Sequence, residues 1–551
     1  MALMKDVYEA LEDVVGPDNI EEDPAVMYSY ALQWMAELIS PDGSRFLKAP
    51  AAVIMPGTAA EVQRLVKICN KYKVKYKAHS SGWAPQASAI IDNLLLVDLR
   101  RMNRILEIDE KNMIAVVEPY VNGAQIQVEA MKVGLNVHMI GAGASCSPLA
   151  SATSFAGHGP DSIFMGNSSE NLLACEWVMP TGDVCRTGSL GSGSGWFYGE
   201  GPGPSIRGVL RGYYGAMGEM GIFTKCALKL SAWPGPMSLP VEGTVPAYYS
   251  HLPENFKAYT LAFPAWQSYA DAYYMIWESE IAYIAHRQFN MLGDDLAPAF
   301  FMMYSDPTKT LDDLDDFAKR PEMQKLTEEM RRSFQIILAG MTPRDIEYKE
   351  KALDQILTKT GGKKVEAMSD PVMERLTLLN LIRLGHKNLN TIYAGGFMGS
   401  FCQKGPPDFM IKYVPVAEDL MKKYQEAGKF VDCGGDVMMG CVSGWGANSY
   451  SVFEQFVLYD PYDKESVQGC VDYCYDATKA AMDHGWSPGM EAALVIDGRN
   501  STEMKQAAFA KSPQPMVFEF QRRIKEAFDP NNTGQDVFYS RFKQPYTEAK
   551  K

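Results

Sequence analysis

The segment from residue 52 to residue 82 constrains the fold more than any other part of the sequence. A short apolar strand at 52–55 leads into Pro-Gly-Thr and a helical pattern of apolar residues. Thr58 and Glu61, three residues apart, form the capping-box signature of a helix start. A second strand pattern follows at 74–78. A strand, a helix and a strand in this order predict a domain in which helices cover a sheet.

Two further strand patterns, at 94–99 and 114–118, follow the turn His79-Ser80-Ser81-Gly82. The alternation predicts mixed sheets in an α+β or α/β domain. From 141 to 221 the chain is rich in glycine and serine, which mark turns and close backbone approaches. Within this stretch a strand at 172–179 is followed by a hairpin turn, Thr-Gly-Asp. Three prolines then interrupt the chain, so we expect a domain boundary near residue 240.

The region from 241 to 510 differs in composition, with more methionine and aromatic residues. It contains three long helical patterns, at residues 311–338, 345–359 and 414–428. A strand pattern follows at 451–459, so we expect a second α+β domain here. The residues from 511 to 551 are expected to return to the first domain, which covers 1–240. The predicted fold class is therefore α+β, with two domains.

Charge and cysteine content exclude several classes of protein. The 551 residues carry a net charge of −14, and the basic stretches are short, so no nucleic-acid partner is expected. No apolar run reaches the roughly 20 residues that span a bilayer, and the N-terminus lacks the features of a secretory signal. A cytoplasmic protein without a membrane partner is therefore expected. The ten scattered cysteines predict reduced, mostly buried thiols and no metal site.

Six short motifs follow one another along the chain. They are PGT at 56–58, VDLRRMN at 97–103, VEP at 117–119, VMPTGD at 178–183, GEMGIFTK at 218–225 and IKEAFDPNN at 524–532. Their order resembles the vanillyl-alcohol oxidase and p-cresol methylhydroxylase family of flavoproteins. The resemblance implies an FAD-binding domain of the PCMH type, formed by 1–240 and 511–551. It also implies an inserted substrate cap at 241–510.

The cofactor implied by this resemblance is FAD. A diphosphate needs several backbone N–H donors from a loop with small side chains, which glycine and serine provide. The residues that the resemblance assigns to FAD are His79, Ser80, Ser81, Gly82, Trp83, Ser151, Thr153, Gly157, Gly159, Gly221 and Ile222. A Rossmann site is not predicted, because the glycines at 191–195 follow a turn and open no helix.

A non-covalent flavin is expected. Relatives that link the flavin use a histidine or a tyrosine, and the cap segment at 394–400 contains neither. Trp83 stands near the position where another branch of the family has its linking histidine. His79 lies close enough to the same loop to leave covalent attachment as the open alternative.

The family implies oxidation of a carbon that bears, or is conjugated to, an oxygen, with hydride transfer to the flavin. The tyrosine and arginine of the phenol-oxidising members are absent from the matching stretch, 485–491. The acidic residue of the family is replaced at 154–159. His158 is our candidate base, because imidazole titrates near working pH and its glycine neighbours leave it accessible. The alternative for His158 is a hydrogen bond to the turn or to the flavin. Tyr393 and Tyr459, in predicted cap strands, are further candidates.

We expect the substrate to be a small alcohol, a hydroxy acid or a phenolic compound. Arg383 and Lys404 are candidate anchors for an acidic substrate, although a solvated surface position is the simpler expectation for each. None of the seven histidines is paired closely with another, so a metal-dependent hydroxy-acid site is not supported, whereas a metal-free one remains open. The electron acceptor is not identified, and a homo-oligomer is expected. The alternative is a catalytically altered flavoprotein subunit that acts in electron transfer within a larger complex.

Overall fold

The computed structural model describes most of the chain. The described residues are 3–40, 42–82, 85–155, 157–191, 193, 195, 215–240, 242, 250–287, 320–368, 379–383, 396–430, 438–441, 451–486 and 515–537. Within these residues the chain has the predicted α+β class, with helices packed on five sheets. No helix in the described part of the chain is both long and apolar enough to cross a bilayer.

The N-terminal region forms the first sheet. Its elements are α1 (Lys5–Val15), β1 (Ile20–Glu21), α2 (Pro24–Ala31), α3 (Ala36–Ile39), β2 (Ala52–Ile54), α4 (Ala59–Tyr72), β3 (Lys75–His79) and β4 (Leu94–Asp98). The strand order is β1-β2-β4-β3, with β2, β4 and β3 parallel. The Thr58 hydroxyl accepts a hydrogen bond from the Glu61 amide at 3.1 Å, and the Glu61 carboxylate accepts one from the Gly57 amide at 2.8 Å. The predicted start of α4 is therefore confirmed.

The second sheet is antiparallel. The elements of this part of the chain are β5 (Ile105–Asp109), β6 (Ile114–Val117), α5 (Gly123–Met131), β7 (Leu135–Asn136), α6 (Pro148–Thr153), α7 (Ser162–Met165), β8 (Leu172–Val178), β9 (Val184–Arg186), α8 (Gly188–Gly191), β10 (Ile222–Lys229) and β11 (Ser231–Ala232). The order in the sheet is β5-β6-β10-β8-β9, and β7 pairs with β11 separately. The predicted hairpin turn joins β8 to β9, with Gly182 at a φ of +86°.

Two more sheets lie in the predicted cap region. Its elements are β12 (Phe256–Ala262), α9 (Trp266–Glu278), β13 (Ala282–His286), α10 (Pro321–Met330), β14 (Ser333–Ala339), α11 (Pro343–Thr360), β15 (Lys363–Lys364), β16 (Gly396–Gly405), α12 (Met410–Glu426), β17 (Met438–Cys441), β18 (Ser451–Tyr459) and α13 (Lys464–Asp483). The strand orders are β13-β14-β12-β15 and β16-β18-β17. Helices α11 and α12 and strand β18 confirm the patterns predicted at 345–359, 414–428 and 451–459.

The helix predicted at 311–338 is wrong at its C-terminal end. Helix α10 covers only Pro321–Met330, and Ser333–Ala339 forms β14, which pairs with both β12 and β13. Residues 311–319 lie outside the described residues. All of β14 is buried. A continuously buried apolar run has no period that distinguishes a strand from a helix.

The C-terminal segment packs against the first sheet. Helix α14 (Pro515–Phe528) is followed by a stretch in which Gly534 forms a parallel bridge with Tyr76 of β3. The Tyr76 amide donates to the Thr533 carbonyl at 2.8 Å. In the described ranges, each sheet lies wholly on one side of residue 240. The exact domain boundaries remain predictions.

Candidate functional site

The turn at residues 79–82 begins at the end of β3 and is held in place by contacts of His79. The His79 carbonyl accepts a hydrogen bond from the Leu99 amide at 2.9 Å, and His79 Nδ1 lies 3.0 Å from the Ala87 carbonyl oxygen. Burial lowers the pKa of His79. Gly82 has a φ of +67°, and a Cβ there would lie 2.6 Å from His79 Nε2. The turn therefore requires glycine at position 82.

The same turn presents unused backbone donors. The N–H groups of Ser80, Ser81 and Gly82 donate no hydrogen bond within the described residues. All three residues are half-buried. Consecutive backbone N–H groups in a turn form a concave site for an anion, because each contributes a partial positive charge.

Helix α6 is attached directly to this turn by Ser147. The Ser147 amide donates to the Ser81 hydroxyl oxygen at 3.1 Å, and the Ser147 hydroxyl donates to the Pro119 carbonyl at 2.6 Å. The same hydroxyl oxygen accepts from the Ala150 amide at 3.2 Å and so caps the helix. The cap places Ser151 and Thr153 on a buried turn of helix beside the turn at 79–82.

Gly157 and Gly159 allow a second backbone segment to pack tightly against its neighbours. A Cβ on Gly159 would lie 1.8 Å from the Met139 carbonyl oxygen. The Ser168 hydroxyl oxygen accepts from the Gly157 amide at 2.6 Å, and this hydroxyl donates to the Ser151 carbonyl at 2.8 Å. Ser168 therefore attaches the Gly157 segment to α6.

Residues 216–222 pack against α6 and the segment at 157–159. Together these three segments form what we call the wall. The Ala216 amide donates to the Thr153 carbonyl at 2.9 Å. Gly221 has a φ of +88°, and a Cβ there would lie 2.4 Å from the Val178 carbonyl oxygen. Ile222 is fully buried in a hydrophobic core shared with the first sheet, so its side chain stabilises the wall from inside.

These segments fit a dinucleotide. They bring together hydroxyl side chains, glycines at which a Cβ would clash, and three backbone N–H groups that have no partner among the described residues. Small residues and free N–H groups are the donor set that a diphosphate requires. The structure thus groups the predicted cofactor residues that it describes into one region. Trp83 lies outside the described residues.

His158 lies beside this wall, where cap residues approach. Its carbonyl accepts from the Gly141 amide at 2.6 Å, and its buried Nδ1 has no hydrogen-bond partner within the described residues. Burial, together with the nearby Lys404, His286 and His138, lowers the pKa of His158 to about 3. The imidazole of His158 is therefore neutral at physiological pH and has basic neighbours.

The low pKa of His158 predicts a pH dependence of stability. An unfolded histidine binds a proton below about pH 6.5, whereas His158 in the folded protein does so only at a pKa of about 3. The unfolded state thus binds more protons between these values, so the stability present above pH 6.5 is lost as the pH falls. Lowering the pH from about 7.5 to about 5 should reduce the free energy of unfolding of the unaltered protein. We expect a smaller reduction in His158→Gln, which lacks this titrating group. Denaturant unfolding at the two pH values measures the loss, and equal losses would contradict the assignment.

His138 and Asp161 form a buried pair next to His158. His138 Nδ1 lies 2.6 Å from Asp161 Oδ1, and Asp161 Oδ2 accepts from the Met139 amide at 2.8 Å. His138 Nε2 is buried and has no hydrogen-bond partner within the described residues. In the neutral tautomer that donates from Nδ1 to this carboxylate, Nε2 carries the lone pair.

Of the two predicted catalytic tyrosines, the structure describes only Tyr459, which lies in the other part of the chain, on β18. Tyr459 is buried at the end of β18, and its hydroxyl donates to Glu37 Oε1 at 2.5 Å. This hydrogen bond ties the cap to α3. Tyr393 lies outside the described residues.

The two candidate anchors occupy different environments. The expectation that Arg383 is solvated is wrong, because Arg383 is half-buried and its Nη2 donates to the Leu239 carbonyl at 2.6 Å. Burial lowers the pKa of Arg383. Lys404, on β16, is exposed and near enough to His158 to affect its pKa.

Four residues of this region were missed by sequence reasoning: Ser147, Ser168, His138 and Asp161. Ser147 has a local signal, because a serine directly before a proline is typical of a helix start. His138 and Asp161 are 23 residues apart and have no such signal. Among the described residues, no three His, Cys, Asp or Glu side chains are grouped so that they could hold a metal ion.

Comparison with known proteins supports a flavin site. Residues 50–188 match the family model of an FAD binding domain. The chain is 29% identical, over 34% of its length, to an uncharacterized FAD-linked oxidoreductase of Mycobacterium tuberculosis, 39% of which is covered. It is 26% identical, over 41% of its length, to a glycolate oxidase subunit of Bacillus subtilis, 45% of which is covered. The match thus spans less than half the length of these curated relatives.

Among solved structures, p-cresol methylhydroxylase with substrate bound has a closely similar fold. The TM-score is 0.70 and the sequence identity 18%, over 96% of this chain and 95% of the other. The likeness of fold therefore extends over the regions on both sides of residue 240.

Proposed function

We propose that this chain is an FAD-dependent oxidoreductase of the flavoprotein family that includes vanillyl-alcohol oxidase and p-cresol methylhydroxylase. The proposed reaction oxidises a small alcohol, hydroxy acid or phenolic compound by hydride transfer. The observation that carries the proposal is the turn at residues 79–82, with three consecutive backbone N–H groups that have no partner within the described residues.

In this proposal the N–H groups of Ser80, Ser81 and Gly82 hold the diphosphate of FAD. The glycines at 157 and 159 let the neighbouring wall approach the cofactor closely. Bound FAD supplies the acceptor for the hydride. We propose a non-covalent flavin, since the segment at 394–400 contains no histidine or tyrosine.

The positive charge of Lys404 near His158 favours an anionic substrate. The groups that lower the pKa of His158 are Lys404, His286 and His138, all of them basic residues. The nearby carboxylate of Asp161 is already bound to His138 and to the Met139 amide. A substrate carboxylate would be attracted to such a site, so hydroxy acids are the favoured class. The match to a glycolate oxidase subunit supports the same class.

Alanine at position 82 tests the proposed diphosphate site. The left-handed backbone at a φ of +67° is unfavourable for alanine, and the new Cβ would displace the His79 ring from 2.6 Å away. We expect Gly82→Ala to weaken FAD binding by about tenfold or more, which corresponds to at least about 1.4 kcal/mol. FAD fluorescence titration measures the affinity.

Gly43→Ala is the matched control. Gly43 has a similar φ of +71°, but a Cβ there would meet nothing within 4 Å. The control therefore carries the same backbone penalty without the clash at the turn. Equal affinities of the two variants for FAD would contradict the assignment of the turn.

Anaerobic reduction of the FAD-loaded protein tests the proposed reaction. We expect the flavin absorbance to be bleached by at least one member of a panel of 2-hydroxy acids, primary alcohols and 4-alkylphenols, with hydroxy acids the most effective. Bleaching by none of them, in a protein that binds FAD, would contradict the proposed oxidation. That result would favour the electron-transfer subunit, which the missing tyrosine and arginine of the phenol oxidisers motivate.

A further inference from the structure

The His138–Asp161 pair lies where the flavin domain meets the cap. Asn136 donates from Nδ2 to the Tyr283 hydroxyl at 3.0 Å, and the Pro160 carbonyl accepts from the Ala285 amide at 3.3 Å. Both contacts are made with strand β13 of the cap. The chain beside each member of the pair is thus held against the domain that the fold uses as a substrate cap.

His138 has a ring nitrogen that can accept a proton at this contact between the two regions. Its side chain is 3% exposed, and Nε2 has no hydrogen-bond partner within the described residues. A buried ring nitrogen without a partner is rare in proteins and calls for an explanation such as a catalytic role. The opposite nitrogen is held by a carboxylate whose second oxygen is fixed by a backbone amide. The ring is therefore oriented with Nδ1 toward Asp161.

We propose that His138, oriented by Asp161, is the general base that accepts the hydroxyl proton of the substrate. The proposal rests on the proposed function and assigns a residue to its proton-transfer step. The substrate O–H proton goes to His138 Nε2, and the C–H hydrogen leaves as hydride to oxidised FAD. The remaining electron pair of the O–H bond forms the carbonyl. Asp161 is a positioning residue that stabilises the imidazolium formed.

His158 is less suited to this role. Burial first, and then the basic neighbours Lys404, His286 and His138, lower the pKa of His158 to about 3. An efficient base has a pKa near the working pH. His138 differs in geometry, because the Asp161 carboxylate oxygen, 2.6 Å from Nδ1, fixes the orientation of its ring. The groups that interact with the pair are His158, which affects and is affected by His138, and Tyr283 on β13, which feels the charge of Asp161. Lys404 on β16 and His286 on β13 act on His158.

Single-turnover reduction of the FAD-loaded protein tests the assignment. With a substrate that bleaches the unaltered protein, we expect the rate of flavin reduction to rise with pH as one group loses its proton. At higher pH the rate should become constant. His138→Gln should be slower by about 10²–10⁴-fold and should lose this pH dependence. His251→Gln, an exposed histidine beside Glu242, is the control and should match the unaltered protein.

Asp161→Asn is the second variant, because an amide keeps the shape of the side chain. Its oxygen can still accept from the Met139 amide, while its NH₂ group faces His138 Nδ1 and moves the ring proton to Nε2. We expect a comparable loss of rate with an unchanged FAD content. This variant tests the proposal even where His138→Gln does not fold.

Nitrogen NMR of ¹⁵N-histidine-labelled protein tests the tautomer without substrate. We expect one histidine with a protonated Nδ1 and an unprotonated Nε2, whose signal is lost in His138→Gln and changes tautomer in Asp161→Asn. A protonated Nε2 in the unaltered protein would overturn the proposal. So would a folded His138→Gln variant with unchanged rate and pH profile. Failure of the unaltered protein to be bleached by any substrate would instead contradict the proposed function, and the proposal with it.

Discussion

Alanine at position 159 is expected to abolish FAD binding at micromolar concentrations of cofactor. The new Cβ would lie 1.8 Å from the Met139 carbonyl oxygen, and a backbone atom cannot move aside as the end of a side chain can. Overpacking of this kind costs about 1–3 kcal/mol or more. Gly159 belongs to the proposed FAD-binding wall, and the Met139 backbone packs directly against it. We therefore expect an affinity loss of about 100-fold or more, measured by FAD titration.

Gly141→Ala is the matched control, because Gly141 packs against the residue that precedes Gly159. A Cβ on Gly141 would lie 3.2 Å from the His158 carbonyl oxygen, so a small shift accommodates it. We expect this variant to retain FAD affinity within a few-fold and to unfold close to the unaltered protein. If Gly159→Ala bound FAD as tightly as Gly141→Ala, the proposed wall would not contact the cofactor.

Removal of the Asp529 carboxylate is expected to release the C-terminal segment. Asp529 is buried and accepts from Lys525 Nζ at 2.7 Å and from the amides of Thr533 and Gly534 at 2.9 Å each. Lys525 also donates to the Glu219 carbonyl. Asp529→Ala would leave a buried ammonium ion without its counter-charge, which costs about 3–5 kcal/mol. We expect a lower thermal midpoint and faster amide exchange at the bridge between Gly534 and Tyr76.

Glu526→Ala on the same helix is the matched control. Glu526 forms an ion pair with Arg522 four residues away, and its side chain is 63% exposed. Exposed pairs of this kind contribute little to stability. We expect no change in exchange at the bridge in this variant. Similar exchange in both variants would show that the Asp529 network does not hold the segment in place.

Much of the fold could be predicted because its signals are local. The start of α4 was readable from Thr58 and Glu61, and the hairpin between β8 and β9 from its turn residues. Strand β14 could not be recognised, since burial of both faces leaves no alternation of apolar and polar residues. Its identity as a strand comes from pairing with β12 and β13, which are distant in the sequence.

The candidate site divides in the same way. The turn at 79–82 was recognisable from its small residues and from its order among the motifs. The His138–Asp161 pair was not, because it forms only when the backbone at Met139 passes against Gly159. The approach of β13 to Pro160 depends on the docking of the cap, for which no local pattern exists. Polar contacts between two domains are therefore the part of a site that the spacing of residues along the sequence does not predict.

Titration of the apoprotein with FAD is the decisive measurement for the proposed flavin site. We expect one FAD bound per chain, with a shifted flavin absorbance spectrum and quenched fluorescence, and weaker binding in Gly82→Ala than in Gly43→Ala. The flavin should be released by acid precipitation, as expected of a non-covalent cofactor. A folded protein that binds no FAD, or one that binds it equally well in both variants, would contradict the account.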